Sequence, residues 1–349
     1  MVRGLSRSLP LFALGAIDRR HVLVLGGGAL ALAAMGSFLG GPAFAAKTKP
    51  VKVAAIYTLA LAQPWISRIH KALKAAEARG DITYIFSENV GSTDYEGVIR
   101  HYSQEGAELI VGDVFGVERP ARKVAADYPK TAFLMGSSLG PTKPNFAVFD
   151  DFIHEPSYLT GMVAGRATRS NVIGLVAGYP IAEANRLMQA FMAGARSVNP
   201  QVKFTIAFIN SWYDPEKAKE AAFAAIDKGA DVLYAERSGV TDAAKARGVK
   251  AVGSIIDTSA QYPGTIIASA LWHMEPTIER VIQRVIDGSF TAADYGPYSY
   301  MSEGGASLAP LDPKLVPPEV IEEVLAKEKE IKDGFFRVPL NETEPASTL

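Results

Sequence analysis

Apolar runs of strand length alternate with helical patterns along this chain, and the same order occurs twice. The runs of the first copy are VKVAAIY (51–57), ITYIFS (82–87), AELIVGD (107–113) and TAFLMG (131–136), and those of the second are NVIGLVAGY (171–179), VKFTIAFIN (202–210), ADVLYAE (230–236) and KAVGSII (250–256). Runs of this length between amphipathic helices predict parallel strands that helices cover on both faces. The predicted fold class is therefore α/β, with two similar Rossmann-like lobes that each contain a parallel sheet and are joined by a hinge.

An internal similarity supports two lobes built on one plan. The segment GAELIVGD (106–113) aligns without a gap on GADVLYAE (229–236), as expected for a repeated supersecondary unit. The predicted boundaries are 51–167 for lobe one, with 273–349 returning to it, and 168–271 for lobe two. The connecting segments are predicted near 166–171, 268–272 and 300–310. In a pair of open α/β lobes, the ligand is expected in the crevice beyond the carboxyl ends of the strands.

The N-terminal segment has a different character from the rest of the chain. A pair of arginines (19–20) precedes an apolar stretch (22–39) rich in Gly and Ala, and a small-residue Ala-Phe-Ala sequence closes it. This pattern predicts an export signal peptide (1–45) that is cleaved between Ala45 and Ala46 and a mature protein in the periplasm. The alternative is a permanent membrane anchor.

Charge and cysteine content exclude several classes of protein. The formal net charge of −1 at pH 7 offers no basic surface for nucleic acid or an anionic membrane. The absence of cysteine excludes a disulfide framework, thiol catalysis and the lipid-modified cysteine of a bacterial lipoprotein. We therefore expect a neutral or small ligand. The protein is further expected to be a monomer without a cofactor.

One motif raises the alternative of an enzyme. The sequence GSSLG (136–140) fits the G-x-S-x-G pattern of a nucleophile elbow, in which a helix must follow the serine directly. Here PTKPN (141–145) follows, and its prolines prevent that helix. The five histidines show no H-x-x-x-H spacing, so the sequence also predicts no metal site.

The chain has three tryptophans, and each lies where a predicted strand meets a helix: Trp65, Trp212 and Trp272. Trp212 directly precedes Asp214-Pro215, a helix start in which Asp accepts backbone N–H bonds and Pro suits the first helical position. An aromatic ring held at such a junction is suited to stacking on a flat ligand. The alternative is a ring that packs only within the protein.

Several segments resemble the basic membrane protein (BMP) family of ABC-transporter solute-binding proteins, which take up purine nucleosides and nucleobases. The resemblance lies in SENV (87–90), VFGVERPARKVA (114–125), EPSYLTGMVAG (155–165), IGLVAGYPIAE (173–183), FMAGARSVNPQVKF (191–204) and NSWYDPEKAKEAAFAAIDKGADV (210–232). It implies the type I periplasmic-binding-protein fold, a purine base or nucleoside as ligand, and an ABC permease in the inner membrane as partner.

Four further side chains are predicted to contact the ligand. Asp257 follows a strand and matches an acidic position of the family, where it would accept a hydrogen bond from a purine N–H; its alternative role is to cap the next turn. Ser238, Phe115 and Tyr57 also lie at strand ends, and each has a purely structural alternative. Arg237 is expected to pair with a nearby acid and is not included.

Two alternatives to a purine carrier remain open at the level of the sequence. An exported sensor that presents its ligand to a receptor would have the same fold and site. Another heteroaromatic solute, such as a flavin or nicotinamide, would stack equally well because stacking does not depend on the identity of the ring.

Overall fold

The computed structural model describes residues 49–349, and the strands of this part of the chain form two sheets. The first sheet has the order β2-β1-β3-β4-β5, with all neighbours parallel: β1 (Val51–Ile56), β2 (Ile82–Ser87), β3 (Leu109–Asp113), β4 (Ala132–Gly136) and β5 (Phe146–Phe149). The short strand β5 was not predicted from the sequence. It extends the sheet at the edge of lobe one.

The second sheet repeats this order and adds one strand. Its order is β11-β10-β9-β8-β6-β7, formed by β6 (Val172–Ala177), β7 (Lys203–Phe208), β8 (Val232–Ala235), β9 (Lys250–Ile255), β10 (Ile266–Trp272) and β11 (Ala306–Leu308). Neighbours are parallel except β11, which is antiparallel to β10. The predicted α/β fold with two similar parallel lobes is confirmed, since in both sheets the first strand of the lobe lies between the second and the third.

Helices cover both faces of each sheet. They are α1 (Pro64–Ala78), α2 (Tyr95–Gln104), α3 (Glu118–Asp127), α4 (His154–Ala167), α5 (Ala182–Val198), α6 (Pro215–Asp227), α7 (Val240–Arg247), α8 (Glu275–Ile286) and α9 (Pro318–Lys332). Because side chains alternate along a strand, Val53 and Ala55 of β1 join the apolar cluster that contains α1, while Ala54 and Ile56 join the cluster under α2 and α3. The sheets are thus buried on both faces, as their continuous apolar runs indicate.

Helices α4 and α5 pack against each other at glycines. A Cβ atom added to Gly161 would lie 2.0 Å from the Phe191 carbonyl oxygen, and one added to Gly194 would lie 1.9 Å from that of Tyr158. The two backbones therefore approach more closely than any side chain would allow. The small residues of α4 bring it against another helix.

Three segments of the described chain cross between the lobes. The first follows β5 and leads into α4, the second follows β10 and leads into α8, and the third is formed by short 3-10 helices at Gly296–Ser299 and Met301–Glu303 that lead into β11. Ser299 joins all three, because its hydroxyl donates to the Asp150 carbonyl (2.8 Å) and accepts from the Trp272 indole N–H (3.1 Å). The crossings therefore meet at one buried serine.

The division into lobes differs from the boundaries predicted at 167/168 and 273. Helix α4 packs with α5 on the second lobe, and α9 is bound to it by the ion pair Arg166–Glu323 (2.8 Å). Of the segment 273–349, helix α8 lies on lobe one, where Glu275 pairs with Arg68 of α1 (3.2 Å). The sequence identified these helices as amphipathic, but an apolar helix face does not specify which of two similar sheets it covers.

The predicted signal peptide (1–45) and its cleavage site at Ala45/Ala46 lie outside the described residues. Within residues 49–349, no helix combines the length and the apolar character needed to cross a membrane.

Candidate ligand-binding site

A cavity of about 250 Å³ lies between the lobes, at the carboxyl ends of their strands. Lobe one lines it with the loop after β1, the first turn of α1 and the loops after β2 and β3, and lobe two with Glu183, Trp212 and Arg237. This is the position at which ligands bind in open α/β sheets, close to the point where the strand order reverses. An engineered apolar cavity of about 150 Å³ holds benzene, so this volume fits a somewhat larger ring system.

Three of the predicted aromatic residues form one row along this cavity. Trp65 contacts Phe115 edge to face, with ring centroids 5.8 Å apart, and Phe115 contacts Trp212 of the other lobe at 6.1 Å. We refer to Trp65, Phe115 and Trp212 as the aromatic row. The row spans the crevice and lines the cavity with rings from both lobes.

The sequence around Trp65 fixes its ring at the start of α1. Gln63 caps the helix by accepting the backbone N–H of Ile66 at 2.9 Å, and Pro64 occupies the first helical position, both favourable helix starts. The ring lies over Gly136, where an added Cβ would come within 2.2 Å of it. Trp65 is therefore held in one place, and only a glycine at the end of β4 leaves room for it.

Trp212 is held in a comparable way on lobe two. Asp214 caps α6 by accepting the backbone N–H of Lys217 at 3.0 Å. Arg237 donates to the Trp212 carbonyl at 2.8 Å, and its guanidinium carbon lies 5.5 Å from the indole centroid. Tyr179 packs on the same indole, with centroids 4.8 Å apart. The loop thus presents a positioned indole, as the Asp-Pro helix start indicated.

Trp272 and Tyr57 do not line the cavity. Trp272 is fully buried at the end of β10 and packs behind Trp65, with centroids 5.3 Å apart. Tyr57 is also fully buried, and its hydroxyl is hydrogen-bonded to that of Tyr84 at 2.8 Å. A strand-end position brings a residue to the edge of the sheet, but the alternation of side chains then turns it toward either the crevice or the core.

Asp257 and Ser238 lie outside the cavity as well. The Asp257 carboxylate accepts from the backbone N–H of Ser259 (2.9 Å) and from the hydroxyl of Ser269 (3.2 Å), which is the turn-capping role. Ser238 is exposed and borders a separate depression of about 210 Å³ on the crevice side of lobe two. Neither side chain reaches the aromatic row in this structure.

Two buried acids that sequence reasoning did not select line the cavity. Asp113, the last residue of β3, accepts from the backbone N–H of Thr58 at 3.0 Å and from its hydroxyl, and burial raises the pKa of Asp113 to about 6. Glu183 lies in the first turn of α5 and is also buried. The position of Asp113 at the end of a predicted strand could have indicated from the sequence that it lines the crevice. Glu183 gave none, because acids are common in the first turn of any helix.

Arg237 is paired as the sequence suggested but also borders the cavity. It donates from Nε to Glu236 at 2.6 Å and from Nη2 to the same carboxylate. Both groups are buried. The positive charge beside Trp212 is therefore neutralised within lobe two.

The G-x-S-x-G motif does not form a nucleophile elbow. Residues 141–145, which follow it, form a bridge and a turn in which Thr142 pairs with Phe146. The helix that would orient a nucleophilic serine is missing at this position, as the prolines predicted.

These features define a class. Two sheets of matching strand order, crossed by several segments and enclosing an aromatic cavity at their carboxyl edges, are the architecture of a two-lobed solute-binding protein. A solute-binding protein of an ABC transporter system from Conexibacter woesei shares this fold, with a TM-score of 0.67 and 24% identity over 84% of this chain and 100% of that chain. The chain belongs to the Bmp family, ABC transporter substrate-binding protein PnrA-like, whose family model matches residues 36–342. The resemblance inferred from the sequence is thereby confirmed, and the family is one of non-enzymatic binding proteins.

Several relatives carry names that specify a solute. A purine-binding protein of Brucella abortus is 29% identical over 308 residues, covering 86% of this chain and 85% of that protein. A Haloferax volcanii protein, provisionally named an ABC transporter glucose-binding protein, is 34% identical over 249 residues, covering 70% of this chain. The alignment spans 62% of the Haloferax protein, less than two thirds of its length.

Proposed function

We propose that this protein captures a purine base or nucleoside between its lobes and delivers it to the permease of an ABC importer. The aromatic row carries the proposal, because Trp65, Phe115 and Trp212 provide ring surfaces from both lobes in a cavity of about 250 Å³. Stacking between a base and an aromatic side chain is worth roughly 1–3 kcal/mol per base in nucleic-acid binders. The purine-binding relative from Brucella abortus supports the same ligand class.

The polar groups of the cavity favour a flat heteroaromatic ligand over a sugar. A sugar carries hydroxyls around its whole ring, and each one loses free energy on burial unless it finds a partner. Asp113 is already bonded to Thr58, and Arg237 to Glu236. Few polar side chains therefore remain for many hydroxyls, whereas three aromatic rings line the cavity.

Glucose is the second candidate, and the Haloferax volcanii relative favours it. Isothermal titration calorimetry of the purified protein with adenine, guanine, hypoxanthine, xanthine and D-glucose separates the two. We expect at least one purine to bind with a micromolar or lower dissociation constant and glucose to give no heat. Binding of glucose alone, or of none of the four purines, would overturn the purine assignment and leave the fold unaffected.

We further propose that the mature protein acts as a monomer in the periplasm. The signal-peptide pattern of residues 1–45 and the extracytoplasmic role of the family support this location. Periplasmic extraction should release a protein whose sequence begins near Ala46. Recovery of the intact N-terminus in washed membranes would instead establish an anchored protein.

A further inference from the structure

Glu183 is a buried acid on the cavity wall that forms no ion pair with any residue of the described range 49–349. Its side chain is 3% exposed and lines the cavity, and the Asp151 carboxyl lies beside it, close enough to share a hydrogen bond when one of the two acids is protonated. Its Oε1 atom is fully enclosed. A buried polar atom without a partner costs about 1–3 kcal/mol and needs a specific explanation.

The nearby cations are already committed to other acids. Arg186, one turn further along α5, pairs with Asp150 and with Glu342 (3.0 Å). Arg237, after β8, pairs with Glu236. Neither guanidinium forms an ion pair with Glu183, so no cation within residues 49–349 is in direct contact with this carboxylate.

Asp151 is the second unpaired acid of this cluster. It follows β5 and is fully buried, and among the described residues no N–H group or hydroxyl donates to its carboxylate oxygens. Burial and the neighbouring acids raise the pKa of Asp151 well above its usual value. Burial is also the main cause that raises the pKa of Glu183 to about 7, and the negative charges of Asp150 and Glu236 add to it. Near neutral pH these two neighbouring acids therefore retain at least one proton between them, and Glu183 is the member of the pair that lines the cavity.

We infer that Glu183 recognises the bound ring by accepting hydrogen bonds from N–H donors on the edge of that ring. This inference rests on the proposed function of the cavity. A heteroaromatic ring stacked on the aromatic row would supply the N–H donors that Glu183 lacks among the described residues. Hydrogen bonds to an ionised carboxylate are about twice as strong as neutral ones. The site thus selects rings that carry a ring N–H or an amino group on the edge facing α5.

The inference predicts that affinity depends on pH. Only the ionised fraction of Glu183 accepts the donors fully, and the apparent dissociation constant rises as that fraction falls. With a pKa of about 7, adenine and hypoxanthine should bind about tenfold more weakly at pH 5.5 than at pH 7.5. His154 titrates below this range, because burial lowers its pKa to about 4.

The test is calorimetry of the full protein with adenine and hypoxanthine at both pH values, in the wild type, Glu183→Gln and Asp113→Asn. Asp113 is the matched control because it lines the same cavity and its pKa is also raised, to about 6. We expect Glu183→Gln to bind about tenfold more weakly at pH 7.5 and to lose most of the pH dependence, while Asp113→Asn keeps it.

The outcomes distinguish this inference from the proposed function. Equal affinities at the two pH values in the wild type, or an unchanged affinity in Glu183→Gln, would overturn the role of Glu183 while purine binding stands. Failure of the wild type to bind any purine would instead refute the proposed function. If Glu183→Gln does not fold, the comparison of the wild type with Asp113→Asn still decides, because retention of the pH dependence without Asp113 supports Glu183 and its loss excludes it.

Discussion

Trp212 is the residue whose role the structure makes most testable. Its indole contacts Phe115 across the crevice and is held by the capped start of α6. Trp212→Ala should weaken purine binding by roughly 1–3 kcal/mol, or about five- to 150-fold in dissociation constant. The measurement is calorimetric affinity together with the midpoint of denaturation without ligand.

The neighbouring Tyr213 provides a matched control. It lies in the same loop, is 52% exposed and does not line the cavity, so Tyr213→Ala should leave the affinity within about twofold, since exposed substitutions usually change free energies by less than about 0.5 kcal/mol. An unchanged affinity in Trp212→Ala with a large loss of stability would show that the indole serves the core of lobe two.

The sequence could predict the aromatic lining of the cavity but not its polar lining. Strand ends are recognisable from apolar runs, so Trp65, Phe115 and Trp212 were placed at the right edge. Whether a ring at that edge faces the crevice or the core depends on the residue at which the strand ends. Trp272 is the last residue of β10, and its ring lies in the core. Glu183 is separated from its neighbours after β5 and β8 by long stretches of chain, and only the folded structure shows that the nearby Arg186 and Arg237 are paired with other acids.

At the scale of elements, the contact between α4 and α5 is set by glycine rather than by apolar side chains. Gly161→Ala should destabilise the protein by about 1–3 kcal/mol, the usual cost of overpacking, because its Cβ would meet the Phe191 carbonyl at 2.0 Å. A backbone atom cannot rotate away as a side-chain end would. Chemical denaturation monitored by circular dichroism measures the change.

Gly97→Ala is the control for that substitution. Gly97 lies inside α2, and no heavy atom lies within 4 Å of its added Cβ. The same chemical change should therefore stabilise the protein by about 0.5–1 kcal/mol, because alanine has less backbone entropy to lose. Equal effects of the two substitutions would mean that the helices separate easily and that the close approach is not required.

The four strands of each repeated half were readable from the sequence, whereas the short strand β5 and the neighbours of α4 and α9 were not. Hydrophobic periodicity indicates that a helix buries one face, but it does not specify the partner. Helix α9 buries its apolar face against α4, and the same face would suit the first sheet equally well. The decisive contacts are pairs distant in the chain, such as Arg166 with Glu323. No local pattern specifies such a pair.

For the molecule as a whole, the buried acids predict that stability depends on pH. Glu183 keeps its proton up to about pH 7 when folded but releases it near 4.5 when unfolded. Between these values the folded state binds more protons, so this residue's contribution to the free energy of unfolding falls as pH rises and is constant above about pH 8. His154 acts in the opposite sense, since burial lowers its pKa.

Comparison of the wild type with Glu183→Gln isolates this contribution. His154 and Asp113 titrate in both proteins and cancel in the difference. From pH 5 to pH 8, the free energy of unfolding of the wild type should fall by about 1–3 kcal/mol relative to the variant. Denaturant titrations at four pH values measure it, and parallel curves would show that Glu183 ionises in the folded state as it does in water.

The placement of the tryptophans has a practical consequence for following this protein in solution. Trp65 and Trp212 border the cavity, whereas Trp272 is sealed behind Trp65. A ring that stacks on Trp65 and Trp212 changes their fluorescence, whereas Trp272 contributes a background that is shielded from solvent. The chain therefore carries its own optical reporter of ligand capture and needs no attached dye.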